Sequence, residues 1–207
     1  MTEVRGLIYD CDGVLFESRR ANLAYYNAIL AHLREPPVRE EEGERVHLCH
    51  TAASPQVFEA LLGAERVDEA LAFAATLDYR QFIPFMTPEP GMGRALEALA
   101  ARMPLAVATN RGSSMPDILA HFDLARFFRI VVTSRDVARP KPYPDMLLRA
   151  AEELGLGAEN LLFVGDSELD RRAAGAAGIR FAAYKWAGGE EDLHIGGHAD
   201  LVEFLRS

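Results

Sequence analysis

The sequence predicts an α/β protein, a parallel sheet covered by helices on both faces, with a separate block of helices inserted after the first strand. Three observations carry this. Five apolar runs of strand length, "VRGLIYD", "PLAVATN", "RIVVTS", "NLLFVGD" and "IRFAAY", are spread along the chain and read as buried strands. Helical patterns lie between them, and that alternation is the signature of parallel strands joined by crossover helices. From about Ser18 to Phe85, by contrast, helical patterns occur with no convincing strand.

Taken in chain order, the first strand ends at "YDCDGVLFES", which puts Asp10 and Asp12 on either side of Cys11. The insert then begins. Tyr25, Ala28, Ile29, His32 and Leu33 recur at helical spacing, and "SPQVFEALLG" and "VDEALAFAATLDYRQF" read as further helices. The polar link "REPPVREEEGER" separates the first helix from the rest, its acidic run Glu40 to Glu44 reading as a solvated loop. "MTPEPGM" returns the chain to the sheet at the Pro90-Gly91 break. The division is therefore 1–16 plus 87–207 for the core and 17–86 for the helical insert. In the core, "KPYPDMLLRAAEELG" is a clear helix: Pro142 and Pro144 suit its start, Leu147, Ala150, Ala151 and Leu154 form its apolar stripe, and Gly155 can end it. No internal repeat or low-complexity tract interrupts the pattern.

Composition narrows the function. At 207 residues the chain has room for one sizeable core plus a small inserted module. Its formal charge of -9 argues against a phosphate-backbone binder, which needs a basic face; the expected partner is a small molecule, with no nucleic acid and no membrane. Only two cysteines occur and the start "MTEVRGLIYD" carries no secretory pattern, so a reducing cytoplasm is expected. No apolar run approaches the roughly 20 residues needed to cross a bilayer.

In open parallel sheets, ligands sit outside the carboxyl ends of the strands. Asp10 and Asp12, Thr109 and Asn110, Lys141, and Asp166 and Asp170 all fall where such ends or their approaches are expected. Asp10 and Asp12, two residues apart, point the same way if the strand persists. Like charges so placed call for positive charge nearby.

These residues lie in "DCDGVLF", "VATNRG", "RPKPYPD" and "VGDSELDRRAAGAAG". In order and spacing they resemble the four motifs of the haloacid dehalogenase superfamily, in particular its capped phosphatases and phosphomutases. The resemblance covers nearly the whole chain and implies a Rossmann-like core, with the helical insert as the cap. It implies that Asp10 attacks phosphorus to form an aspartyl phosphate. Mg²⁺ would be held by Asp10, the backbone carbonyl of Asp12 and Asp166, and Lys141 would add a compact charge against phosphate and nucleophile. Asp12 would protonate the leaving alkoxide and then take a proton from water, a role that wants a raised pKa. Thr109, through its hydroxyl, and Asn110, through its backbone amide, would hold phosphoryl oxygens. Arg111 is assigned with Asn110 to substrate binding. Asp170, about one helical turn beyond Asp166, would orient metal water or pair with Lys141, and Ser167 would support it or cap the helix.

Departures from the family pattern sharpen the expectation. Dehalogenases of the superfamily lack the second aspartate, and its phosphonate-cleaving members use a cap lysine, whereas the only lysines here are Lys141 and Lys185. What remains is a Mg²⁺-dependent phosphomonoester hydrolase acting on a small phosphorylated metabolite. The alternatives are a sugar phosphomutase and a noncatalytic, receiver-like phosphate binder. Receivers, however, have no helical cap and carry their phosphoacceptor at a middle strand. Glu17 stands where many relatives have Asp. Arg19 and Arg20 place positive charge at a helix start, against the macrodipole; they read either as a solvated surface or as a pair of which at least one faces the site and binds an anionic group of the substrate. In "VHLCHTA", His47, Cys49 and His50 read as ordinary cap structure or a substrate-facing loop before they read as a zinc site. His194 and His198 read as loop residues and Cys11 as a buried small side chain. Trp186 reads as a packing residue.

Overall fold

The computed structural model describes residues 3–189 and 193–206. In chain order the elements are β1 (Gly6–Tyr9), β2 (Phe16–Glu17), α1 (Arg19–His32), α2 (Gly43–Thr51), α3 (Ser54–Leu62), α4 (Val67–Ala74), β3 (Thr87–Pro88), α5 (Met92–Ala100) and β4 (Leu105–Thr109). There follow α6 (Met115–His121), β5 (Phe128–Thr133), α7 (Asp145–Leu154), β6 (Leu161–Gly165), α8 (Glu168–Ala177), β7 (Arg180–Tyr184), β8 (Leu193–Ile195) and α9 (His198–Phe204). Six strands form one sheet in the order β5-β4-β1-β6-β7-β8, and every pairing in it is parallel. The strand order reverses about β1, so a crevice opens at the carboxyl end of the central strand.

Strand periodicity explains why these runs are apolar throughout. Leu7 and Tyr9 of β1 face one hydrophobic cluster, while Ile8 between them faces the other. The first cluster is completed by α5, α6 and α9 through residues such as Leu96, Ile118 and Leu201. The second is completed by α7 and α8 through Leu147, Ala150, Ala173 and Ala177. With helices on both faces, β1, β4 and β6 are buried along their whole length and alternation disappears. At roughly 1.5–3 kcal/mol for each large apolar side chain removed from water, the α7 stripe alone is a strong constraint on where that helix sits. Gly155 ends α7 in the left-handed conformation, φ 68°, as its missing Cβ allows.

Between β2 and β3 the chain is helical, and it builds a third cluster of its own around Ile29, Leu30, Val57 and Phe58. Phe16 pairs with Pro88 and Glu17 with Thr87 in a two-stranded antiparallel ribbon where this segment leaves and rejoins the core. Three departures from the sequence reading appear. The acidic run's end and "VHLCHT" lie in helix α2, whose buried side, Cys49 and His50, is too short for a periodic signal. The edge strand β8 is three residues long, and α9 follows it. His198 is the first residue of α9, fully buried, with Nε2 2.9 Å from the Val14 carbonyl oxygen. It is thus no loop residue. Trp186 packs beside Phe181, ring centroids 6.2 Å apart, as expected. No helix among the described residues is long and apolar enough to cross a membrane.

Candidate active site

Asp10 follows β1 directly, and its backbone N–H donates to the Val164 carbonyl of β6 at 2.9 Å. Its carboxylate is buried and lies 2.8 Å from Lys141 Nζ, which also donates to Asp170 Oδ1 at 2.6 Å. Lys141 precedes α7, and Asp170 sits in the first turn of α8. There a capping box holds it: Ser167 N–H and Oγ both donate to Asp170 Oδ2, at 3.1 and 2.5 Å, and Asp170 N–H donates back to Ser167 Oγ at 3.3 Å. Ser167 is therefore both a helix cap and the clamp that aims Asp170 at Lys141.

Asp10, Asp166 and Asp170 bring carboxylate oxygens within 4.8 Å of one another. One ammonium opposes three carboxylates, and the excess negative charge is felt. Asp10 is pushed up to about 8, first by burial and then by Asp170, Asp12 and Asp166, with Lys141 opposing. Burial likewise raises Asp166. A hard, all-oxygen donor set with uncompensated charge fits a divalent cation such as Mg²⁺. Gly13 makes the approach of Asp166 possible: its φ is +73°, and a Cβ there would stand 1.8 Å from Asp166 Oδ2.

Asp12 lies in different surroundings. Its Oδ1 accepts from Arg111 Nη2 at 2.6 Å, from Asn22 Nδ2 at 3.2 Å and from the Ser18 hydroxyl. Burial raises its pKa, but the Arg111 guanidinium, His50 and these hydrogen bonds outweigh it and hold the carboxyl below its ordinary value. The acid role wants a raised pKa, and the buried guanidinium beside Asp12 works in the opposite direction. Arg111 is itself fixed by Tyr79 OH at 2.6 Å and Asn22 Oδ1 at 2.7 Å.

Thr109 ends β4 and is buried; its Oγ1 accepts from Arg111 N–H at 3.2 Å, leaving the hydroxyl proton free to donate. The Asn110 side chain is a staple. It bonds the Lys141 backbone on both sides, N–H to Oδ1 at 2.9 Å and Nδ2 to the carbonyl at 3.1 Å, and Nδ2 reaches the Thr51 carbonyl of α2 at 3.0 Å.

A cavity of about 580 Å³ opens from Asp10 and Asp12, bounded by Thr109, Asn110 and Arg111 on the sheet side and by helices of the insert opposite. Arg19 and Arg20 are not in its wall. Both are exposed, and Arg19 is paired at 2.6 Å with Glu17, which also accepts its backbone N–H. Glu17 therefore answers the charge that seemed misplaced at this helix start, and the reading as a substrate contact is corrected. His47 is exposed while Cys49 and His50 are buried, and no zinc cluster forms from them among the described residues. His50 instead places Nδ1 3.4 Å from Asn22 Nδ2 and Nε2 3.8 Å from Asp166 Oδ2, an ion-pair approach longer than a hydrogen bond. Against the pull of burial, Asp166 and Asp12 hold its pKa up. Asn22, His50 and Tyr79 went unrecognised as site residues because their approach to Asp12, Asp166 and Arg111 is made by tertiary packing alone.

The chain has relatives in both sequence and fold. The family model for haloacid dehalogenase-like hydrolases matches residues 7–184. A phosphoglycolate phosphatase of Shigella boydii is 30% identical over 201 residues, covering 85% of this chain and 79% of its own length. Among solved structures, a HAD-superfamily hydrolase of subfamily IA from Geobacter sulfurreducens superposes with a TM-score of 0.85 at 38% identity, covering 98% of this chain and all of the other. A β-phosphoglucomutase from Clostridium difficile shares the fold alone, with a TM-score of 0.78 at 15% identity over 98% of this chain and 96% of its own. The chain belongs to the haloacid dehalogenase-like hydrolases, in their capped branch. Within them it is an enzyme of the phosphatase type.

Proposed function

We propose that this protein is a Mg²⁺-dependent phosphomonoesterase that works on a small phosphorylated metabolite through an aspartyl phosphate on Asp10. The observation that carries the reading is the cluster of Asp10, Asp166 and Asp170, with the Lys141 ammonium held between Asp10 and Asp170 and Asp12 close by on a separate guanidinium. When bound, Mg²⁺ supplies the positive charge that lets two anions meet and keeps the Asp10 carboxyl ionised at neutral pH. Asp10, Asp166 and the Asp12 carbonyl would hold it.

Asp10 attacks phosphorus with a carboxylate oxygen, and the bond from phosphorus to the ester oxygen breaks. Lys141 keeps that carboxylate aimed, and Asp170, itself fixed by Ser167, keeps the lysine in place. The Thr109 hydroxyl and the backbone N–H of Asn110 steady the phosphoryl oxygens as charge moves onto them. Asp12 gives its proton to the leaving alkoxide; the incoming phosphate's negative charge raises its pKa toward what that step needs. In the second half Asp12 takes a proton from water as the water oxygen attacks phosphorus, and the bond to Asp10 breaks. Arg111 sets the orientation of Asp12 in both halves.

We take 17–86 as the cap and 1–16 with 87–207 as the core, a division supported by the ribbon of β2 and β3 at the junction. The buried, unpaired thiols of Cys11 and Cys49 support a cytoplasmic setting.

Phosphate release from a panel of small phosphomonoesters tests the reading, with Mg²⁺ and with chelator, for wild type and Asp10→Asn. Metal-dependent release that the substitution abolishes is the expected result. Release that survives Asp10→Asn, or none from any ester by a protein whose melting temperature rises with Mg²⁺, would remove the proposal.

A further inference from the structure

The cavity next to Asp10 falls in the range of roughly 300–1,000 Å³ that encloses whole organic ligands. Nor does it await closure of the helices over the sheet. Thr51, Asn22 and Tyr79 of the insert already bond Asn110 and Arg111 of the core, at 3.0, 2.7 and 2.6 Å. The space therefore persists with the two parts in contact, and a two-carbon acid esterified to phosphate leaves most of it empty.

Its walls are equally informative. Away from the carboxylates they include the rings of Tyr25, Tyr26 and Tyr79 and the side chains of Leu71, Ala74 and Leu77, together with hydroxyls and an amide such as Ser54, Ser114 and Gln56. The Tyr25 ring lies 5.1 Å from Tyr26 and 5.5 Å from Tyr79, inclined to them at 69° and 58°, so the three form one aromatic cluster on this wall. Tyr26 OH, 3.2 Å from Ser54 Oγ, adds a polar edge.

Charge points the same way. An acid's carboxylate, a bond or two from the phosphate, needs a free cation close by. Arg111 is neutralised by Asp12 and gives its Nη groups to Asp12, Asn22 and Tyr79, and Lys141 is held by Asp10 and Asp170; Arg111 Nε and His50 Nε2, the latter 3.8 Å from Asp166, keep an unused donor position but no uncompensated charge. Arg135, the remaining cation in the wall, stands exposed at the rim. An uncharged ring, by contrast, meets aromatic faces, apolar side chains and a few hydroxyls.

We propose that the phosphate is carried by an uncharged alcohol bearing a ring, a sugar or a nucleoside, seated against Tyr25, Tyr26 and Tyr79, rather than by a two-carbon hydroxy acid. The inference rests on the phosphatase reading above and is tested apart from it. Asp10→Asn protein with Mg²⁺ is titrated calorimetrically with 2-phosphoglycolate, glucose 6-phosphate and adenosine 5′-monophosphate, and wild type is assayed for phosphate release from the same three. Binding at least tenfold tighter for one ring-bearing ester is expected, and which of the two it is tells sugar from nucleoside. Ala74→Trp, which fills the apolar wall, should reduce that preference, its folding checked by melting temperature. A preference under tenfold, or no binding of any of the three, overturns the inference. Ring-selective binding without phosphate release supports the inference and overturns the phosphatase reading instead; release of phosphate with 2-phosphoglycolate preferred does the reverse.

Discussion

Arg111 Nη2 lies 2.6 Å from Asp12 Oδ1, and both side chains are at least nine-tenths buried. The pair joins the second residue after β4 to the motif after β1, so the two strand ends are electrostatically locked.

Removing the guanidinium leaves a buried carboxylate without its cation, which costs about 3–5 kcal/mol. Arg111→Leu is expected to lower stability to chemical denaturation by that much. Adding Asp12→Asn should recover a large part; a double variant whose loss equals the sum of the single losses would show that the pair is not coupled. In Arg111→Leu the Asp12 carboxyl also loses the chief charge holding its pKa down, so the alkaline limb of kcat/KM, set by the acid that protonates the leaving group, moves to higher pH.

Gly13→Ala tests the approach of Asp166. An L-residue at φ +73° is strained by roughly 1–2 kcal/mol, and the added methyl would stand 1.8 Å from Asp166 Oδ2. The carboxylate must move away from Asp10. Half-saturation by Mg²⁺, read from activity or from the metal-dependent rise in melting temperature, should shift upward at least tenfold. An unchanged value would mean that Asp166 is not a ligand.

His198 gives a pH-dependent stability. Its Nε2 faces the Val14 carbonyl, so the neutral ring donates there, and Nδ1 is buried without a partner. Burial lowers its pKa below 6.5; Lys185 adds to this, while the Val14 contact and Glu89 oppose. Because the folded pKa lies below the unfolded one, the stabilisation is complete above about pH 6.5 and is lost as pH falls through the folded value. His198→Gln keeps a donor for Val14 and cannot titrate. It should cost about 1 kcal/mol at pH 7.5 and show a shallower loss of melting temperature than wild type between pH 7 and 5. Parallel curves would exclude His198 as the source.

Much of this architecture was legible in the sequence because it rests on local pattern. The five long strands announced themselves as apolar runs, and α7 through its stripe and its terminal glycine. β8 and α9 did not: three residues of strand at a sheet edge and a seven-residue helix give too few periods to read. The carboxylates and Lys141 were legible because they sit at fixed offsets from strand ends. Charge partners were not. Glu17 meeting Arg19 is a local contact that could have been guessed from the i,i+2 pairing of opposite charges, but Asn22 and Tyr79 meeting Arg111 span 89 and 32 residues. Such contacts exist only after two cores have packed, and they set the pKa of Asp12 in the direction opposite to the one its acid role wants.

The ribbon of β2 and β3 has an evolutionary consequence. Because Phe16 and Pro88 are paired, the seventy-odd intervening residues begin and end at one spot on the sheet, and their length adds only slowly to the entropy of closing that loop. Helices between those points can be lengthened, shortened or replaced without re-threading the strands that carry Asp10, Lys141 and Asp166. Selection can thus change what the enzyme accepts while the reacting groups stay where they are.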